Sequence, residues 1–325
     1  MEVKSKKVDM KKIAILANKS SGQGSALKAT LSAREKLWGY PHEIHFPSSQ
    51  SELRTICSKL SPEIYEALIV IGGDGTVHQA IRGFAIQPND VPLYPFPGGT
   101  ANDLARELGL HADWHQVETL IGQKQHDLID MIEVNGIPFS TVGGIGICAI
   151  LTQEFNDIRS RSPLFKKLSQ LLHIQIYTAL SAKTILTRRD YLHYIHIQSS
   201  DFNEKIRTPA VFFCNQTYLG GNVKVAPTLD NTDKRFNVLI VTNTSRARLL
   251  TSSLQLKRGK LPSNFFVFST DHLTLTDLNN RKLSVFGDGE LLTENTQLEV
   301  KILPQSLRVY REQKKNYPIS REALQ

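Results

Sequence analysis

Three short stretches set carboxylates among glycines at spacings that could do chemistry: "VIGGDGTVH" at 70–78, "PGGTAND" at 97–103 and "FGDGE" at 286–290. In the first, Gly72, Gly73 and Gly75 surround Asp74, and Thr76 and His78 follow. In the second, Gly99 and Thr100 lead to Asn102 and Asp103. A glycine-rich turn ending at a helix N-terminus offers backbone N–H groups and the positive end of the helix dipole, which suits a phosphate. "NKSSGQG", from Asn18 through Ser21 and Gly22, is a further turn of that kind. Each stretch also has a plain structural use. The glycines can supply positive φ, Asp74 and Asp103 can cap helices, and Asp-Gly between apolar runs favours a hairpin.

The pattern is neither a Walker loop nor a dinucleotide fingerprint. No GxxxxGK[ST] occurs, and "GGIGI" at 143–147 lacks the fingerprint spacing. With no lysine in "GGDGT" or "PGGTAND", Mg2+ must neutralise a bound polyphosphate. It would be held by the nucleotide's own oxygens or by carboxylates, with Asp74 and Asp103 placed to orient it.

The elements that must position these residues divide the chain in two. Up to about residue 125, apolar runs such as "KKIAILAN", "HEIHF", "EALIVIGG" and "PLYPFPGG" alternate with helically spaced segments. Strict β, α, β, α order implies a doubly wound parallel sheet, whose ligands sit beyond the carboxyl ends of the strands. The turns "NKSSGQG", "GGDGT" and "PGGTAND" then meet on one edge. From residue 126 to about 304 the segments are short, β-rich and punctuated by Gly, Asn and Asp, which predicts an antiparallel sandwich or barrel. "SPLFKKLSQLLHIQIYTALSAKTIL" interrupts it as a helix, packed over the sandwich or touching lipid. Residues 305–325 are expected to pack back on the first domain and end in a charged tail.

The 325 residues, 40% hydrophobic, suffice for two cores. Three well-separated cysteines argue against a zinc site or disulfide framework. No run approaches the roughly 20 apolar residues of a spanning helix. The formal charge of +8 points to an anionic partner, and no nucleic-acid-binding signature is present.

In order, "GGDGTVHQAIRGF", "PGGTANDLARELGL" and "FGDGE" resemble the diacylglycerol kinase catalytic domain family, which includes sphingosine and ceramide kinases and is related to NAD kinases. The resemblance implies a Rossmann-like, NAD kinase- and phosphofructokinase-like α/β domain followed by a β-sandwich domain. It implies an ATP-dependent, Mg2+-dependent lipid kinase, cytoplasmic and peripheral at the inner face of an anionic membrane, with homodimerisation left open. Asn18 and Gly22 match its first nucleotide loop, with Lys19 where proline is usual. Gly72 to His78 match the loop around the ATP phosphates, and Thr100 a nucleotide contact. Asp288 and Glu290 are the implied general bases, with Asp74 as competitor. "APTLDNTDKRFNVLIV" matches a structural Mg2+ loop, giving Asp233 with the Asp230 and Arg235 carbonyls as ligands. Thr228 and Thr232 stand there for aspartates, and Lys234 for glycine. Asp130 matches an aspartate linking the nucleotide cleft to the second domain, and a satisfied strand-end carboxylate is the plain alternative.

Overall fold

The computed structural model describes residues 10–18, 28–30, 32–33, 37, 39–86, 90–162, 165, 173–219, 223–224, 229–242 and 245–312. The apolar runs β1 (Lys12–Ala17), β2 (His42–His45), β3 (Tyr65–Gly72) and β4 (Leu93–Pro97) form a parallel sheet in the order β2-β1-β3-β4. β1 and β3 read as nearly unbroken Ile, Leu, Val and Ala, which is what strands covered on both faces require. Between β2 and β3 lies α1 (Gln50–Ser58). Ser49 accepts at its Oγ from the Glu52 N–H, and Glu52 accepts from the Ser48 N–H, so the chain turns into this helix with its first donors satisfied. α2 (Asp74–Ile86) starts two residues after β3 and buries Val77, Ala80, Ile81 and Phe84.

The helix expected across "TANDLARELG" is a shorter α3, Asp103–Glu107. Asn102 takes the left-handed conformation at its start, so the preceding residues are spent on the turn. α4 (Trp114–Gly122) follows, a helix that the reading of the sequence did not include.

The second half is a pair of facing sheets. β7 (Val142–Gly146), β10 (Ala210–Cys214), β13 (Phe236–Val241), β14 (Phe265–Thr270), β16 (Leu283–Gly287) and β17 (Glu290–Asn295) form one, in the order β14-β13-β10-β7-β16-β17. The other is continuous with the parallel sheet and adds β5 (His126–Val134), β6 (Ile137–Phe139), β8 (His193–Gln198), β9 (Asn203–Thr208), β15 (His272–Asp277) and β18 (Gln297–Tyr310). "FFVFSTDHLTLT" therefore divides between two sheets, β14 lying in one and β15 in the other. β11 (Tyr218–Leu219) and β12 (Val223–Lys224) make a separate two-stranded ribbon.

Among the described residues, three helices sit between these strands: α5 (Ile147–Arg161), α6 (His173–Thr187) and α7 (Arg246–Lys257). Of these, α6 falls in the stretch expected to be helical. Residues 166–172, with Lys166, Lys167, Leu168, Leu171 and Leu172, lie outside the described residues.

The fourteen residues of β18 tie the two halves together. Its first part pairs with β15 and β5, and its last part runs beside the parallel sheet, where Val309 meets Leu93 of β4. The ladder shifts between Leu303 and Leu307. There the Asp130 carboxylate, fully buried, accepts from the Gln305 N–H at 2.7 Å and from the Lys234 N–H at 2.7 Å. A carboxylate with both oxygens bonded to backbone donors is affordable in a core. Asp130 thus fixes a left-handed Gln305 and a left-handed Lys234 from one strand. Beyond β18, Glu312 N–H donates to the Leu108 carbonyl and Arg311 to Asn231. The charged tail expected beyond them, residues 313–325, lies outside the described residues.

Candidate active site

β3 and β4 are neighbours, so the turns that follow them stand side by side. The Gly98 N–H donates to the Gly72 carbonyl at 2.9 Å. Gly73 and Gly99 touch through their backbones: a Cβ on Gly99 would lie 2.4 Å from the Gly73 Cα. Close approach is therefore what these two glycines serve. The first turn joins at its leading residue, where Asn18 Nδ2 donates to Thr76 Oγ1 at 3.3 Å. A small crevice lined by Gly72, Gly73, Asp74, Asn102 and Leu104 lies between the second and third turns. Gly99 and Thr100 are exposed at its rim. Ser21 and Gly22 lie outside the described residues.

Asp74 opens α2 without capping it. Its Oδ1 accepts from the Asp103 N–H at 2.6 Å and its Oδ2 from the Asn102 N–H at 2.9 Å, so it caps α3, the helix of the next turn. Burial raises the Asp74 pKa, opposed by those two donors and supported by the negative charge of Asp288. Asp103, buried at the start of α3, lends Asp74 its N–H.

The third component arrives from the sandwich. Asp288 and Gly289, with φ of 52° and 78°, form the tight turn between β16 and β17, as Asp-Gly favours. The hairpin and the functional reading are the same object, because this turn carries the acids to α2. Asp288 is buried and saturated: it accepts from the Thr141 N–H at 2.8 Å, the Thr141 hydroxyl at 2.6 Å and the Ser140 N–H at 3.1 Å, and its Oδ2 lies 2.9 Å from His78 Nδ1. Burial alone would raise its pKa. The bonds and charge from His78, Thr141 and Ser140 outweigh burial and leave it below the ordinary carboxylate range.

Glu290 is the opposite case. Its side chain accepts no hydrogen bond from any described residue, and its Oε1 would lie 2.8 Å from a Cβ built on Gly75. Burial raises its pKa, with Asp288 adding to the rise and with His78 and Arg159 opposing it. Gly75 thus leaves room for the Glu290 carboxylate against the first turn of α2.

His78, matched to the phosphate loop by its sequence, is turned inward. It is 1% exposed and held by Asp288 rather than open to the crevice. Three residues past Gly75, it shares the face of α2 that meets the turn between β16 and β17. Ser140, Thr141 and Arg159 were not singled out in the sequence; "FST" and an arginine on an unrecognised helix carry no signal of their own.

The "DNTDKR" turn bonds its side chains within itself and to β14, which leaves the implied Asp230 and Arg235 carbonyl ligands untouched. Asp233 Oδ1 accepts from the Arg235 N–H at 2.9 Å, and Asp230 Oδ1 from the Thr232 N–H at 3.0 Å and hydroxyl at 2.5 Å. The Arg235 guanidinium donates to the Ser269 carbonyl. Around the phosphate turns, the Asp74 oxygens are likewise taken by N–H donors. Among the described residues no group of three His, Cys, Asp or Glu side chains could hold a metal ion. Nor is any described helix long and apolar enough to cross a membrane.

Comparison with known proteins agrees with this architecture. The diacylglycerol kinase catalytic domain matches residues 12–134, and a C-terminal NAD kinase β-sandwich-like domain, named for YegS, matches residues 157–311. The chain belongs to the diacylglycerol kinase catalytic domain family. A "Putative lipid kinase" of Staphylococcus haemolyticus is 23% identical over 82% of this chain and 84% of its own. Another, of Staphylococcus carnosus, is 22% identical over 90% and 94%. A crystal structure from Bacillus anthracis described as a "putative diacylglycerol kinase" superposes with a TM-score of 0.76 at 20% identity, covering 93% of this chain and 98% of that one.

Proposed function

We propose that the protein transfers the γ-phosphoryl group of ATP to a hydroxyl of a membrane lipid of the diacylglycerol type, with Glu290 as general base. The observation that carries this reading is the placement of the Glu290 carboxylate against Gly75, where the glycine turns meet. A base must be able to take a proton from the acceptor, and a raised pKa with no hydrogen-bond donor in the way suits that work. Asp288 is a poor base, since its oxygens are already spent, and it serves as the anchor of the hairpin. Asp74, bonded to two N–H groups, holds the second and third turns in register.

In this mechanism Asn18, Gly72, Gly73, Thr76, Gly99 and Thr100 surround the triphosphate, and the α2 and α3 N-termini face its charge. Phosphoryl transfer needs mostly positioning and charge neutralisation, which such a cradle supplies. Among the described residues no three His, Cys, Asp or Glu side chains form a cage for Mg2+, so a cation would be held chiefly by the nucleotide's own oxygens and would supply charge neutralisation there. The acceptor hydroxyl approaches from the sandwich side, next to Glu290. The enzyme works at the surface of an anionic bilayer, consistent with the +8 formal charge.

The test is incubation with γ-labelled ATP and a total lipid extract, with NAD as a competing soluble acceptor. Label in a lipid fraction supports the reading. Label in NAD alone, or nucleotide binding without transfer, contradicts it.

A further inference from the structure

Asn215, the residue directly after β10, is 2% exposed and belongs to none of the glycine turns. Its Nδ2 donates twice, to the Asp130 carbonyl of β5 at 2.7 Å and to the Ser140 carbonyl at 3.2 Å. Its backbone N–H donates to the Thr141 carbonyl at 2.9 Å. Its Oδ1 is buried and meets no donor among the described residues, so what this amide contributes is its two N–H groups. The opposite amide orientation would set Oδ1 against both carbonyls. A buried acceptor left unmade is costly, and a side chain kept at that cost is a candidate for work.

These bonds reach the hairpin through one peptide group. The Ser140 carbonyl and the Thr141 N–H are the two opposed ends of a single planar trans peptide. Asn215 holds the carbonyl end, and Asp288 Oδ1 accepts from the N–H end at 2.8 Å. Rotation of that plane would break both bonds together. The Ser140 N–H and the Thr141 hydroxyl complete the grip on the Asp288 carboxylate, and the Asp288 N–H donates to the Val142 carbonyl at 3.1 Å. The turn held in this way carries Glu290 two residues on, against Gly75. At its other bond Asn215 is tied to a fixed point. The Asp130 N–H donates to the Asn231 carbonyl at 2.8 Å, and its carboxylate is bonded to the Lys234 and Gln305 N–H groups.

We propose that Asn215 is a positioning residue for the phosphoryl transfer: by orienting the Ser140–Thr141 peptide it sets where the Asp288–Gly289 turn stands, and with it the Glu290 carboxylate. This rests on Glu290 being the base. Asn215 acts through the peptide and the turn, and it touches neither nucleotide nor acceptor. Its loss therefore falls on the placement of the base, and so on kcat rather than on KM. A displacement of about 1 Å at a reacting group is enough for a roughly 10²-fold loss of rate.

The experiment compares the parent with Asn215→Ala, which removes both side-chain donors, and Asn215→Ser, whose hydroxyl keeps one. Amide hydrogen exchange in Asn215→Ala should quicken at Ser140 and Thr141 while Ile69 of β3 keeps the parent's rate. With γ-labelled ATP and diacylglycerol vesicles, its kcat should fall by roughly 10²-fold with the KM for ATP and for lipid unchanged, Asn215→Ser lying between. Exchange at Ser140 and Thr141 that stays at the parent's rate, or that rises equally at Ile69, would overturn the proposal. So would a lowered melting temperature with the parent's kcat per folded molecule, the mark of a purely structural amide. If Asn215→Ala does not fold, Asn215→Ser is read against the parent by the same criteria and decides the matter. If the parent itself labels no lipid, the kinase reading fails separately, and exchange at Ser140 and Thr141 still decides whether Asn215 anchors the hairpin.

Discussion

Asp74 Oδ1 stands 2.6 Å from the Asp103 backbone nitrogen, so the carboxylate of one glycine turn caps the helix that follows the next. Asp74→Ala should leave two N–H groups without their acceptor, a loss of about 1–3 kcal/mol. It should also let the second and third turns drift apart. Calorimetry should show a lower melting temperature and ATP titration at least a tenfold weaker affinity. Unchanged values for both would mean that the bond is ornamental.

Gly73 and Gly99 make the same junction through contact alone. Gly99→Ala puts a methyl 2.4 Å from the Gly73 Cα, and backbone must move. Overpacking of this kind costs roughly 1–3 kcal/mol. Gly39→Ala, where a Cβ meets nothing within 4 Å, is the matched control. The first variant should melt earlier and bind ATP weakly, and the second should match the parent.

The two acids of the hairpin should respond oppositely to pH. Asp288 is depressed in the folded protein, so its stabilisation is present above the ordinary carboxylate pKa and is lost as pH falls through the folded value. Glu290 is raised, so its ionised form opposes folding at neutral pH, and that opposition fades as pH falls through its folded value. Glu290→Gln should therefore melt above the parent at pH 7, the gap closing on acidification. Asp288→Asn should melt below it at pH 7. Thermal scans across pH decide between these signs and their reverse.

Because Asp230 Oδ1 and Asp233 Oδ1 are bonded within their own turn, Mg2+ without nucleotide should shift the melting temperature no more than a salt of equal ionic strength. Asp233→Asn should leave that response unchanged. A specific Mg2+ stabilisation abolished by Asp233→Asn would show that the turn reopens around a cation.

The sequence disclosed the glycine turns because a glycine between an apolar strand and a helix leaves a local signal, and the order of the strands placed the turns together. It did not disclose which helix Asp74 caps. Both α2 and α3 begin beside an aspartate, and only the contact of Gly73 with Gly99 decides between them. His78 was read as facing phosphate because it follows "GGDGT", yet its orientation depends on a hairpin 210 residues away. The route of β18 across both sheets was hidden for a similar reason: the shift at Gln305 is fixed by Asp130, 175 residues distant. α5 and α7 escaped notice because "STVGGIGI" reads as strand into the start of α5, and α7 mixes serine, threonine and arginine with its leucines.

The most direct measurement of the central claim is transfer from γ-labelled ATP to diacylglycerol in anionic vesicles, for the parent and for Glu290→Gln, with ATP affinity measured on both. The account predicts labelled lipid from the parent, and from the variant a loss of at least ~10²-fold in kcat with ATP affinity retained. Equal labelling by the two proteins, or no labelled lipid from the parent, would contradict it.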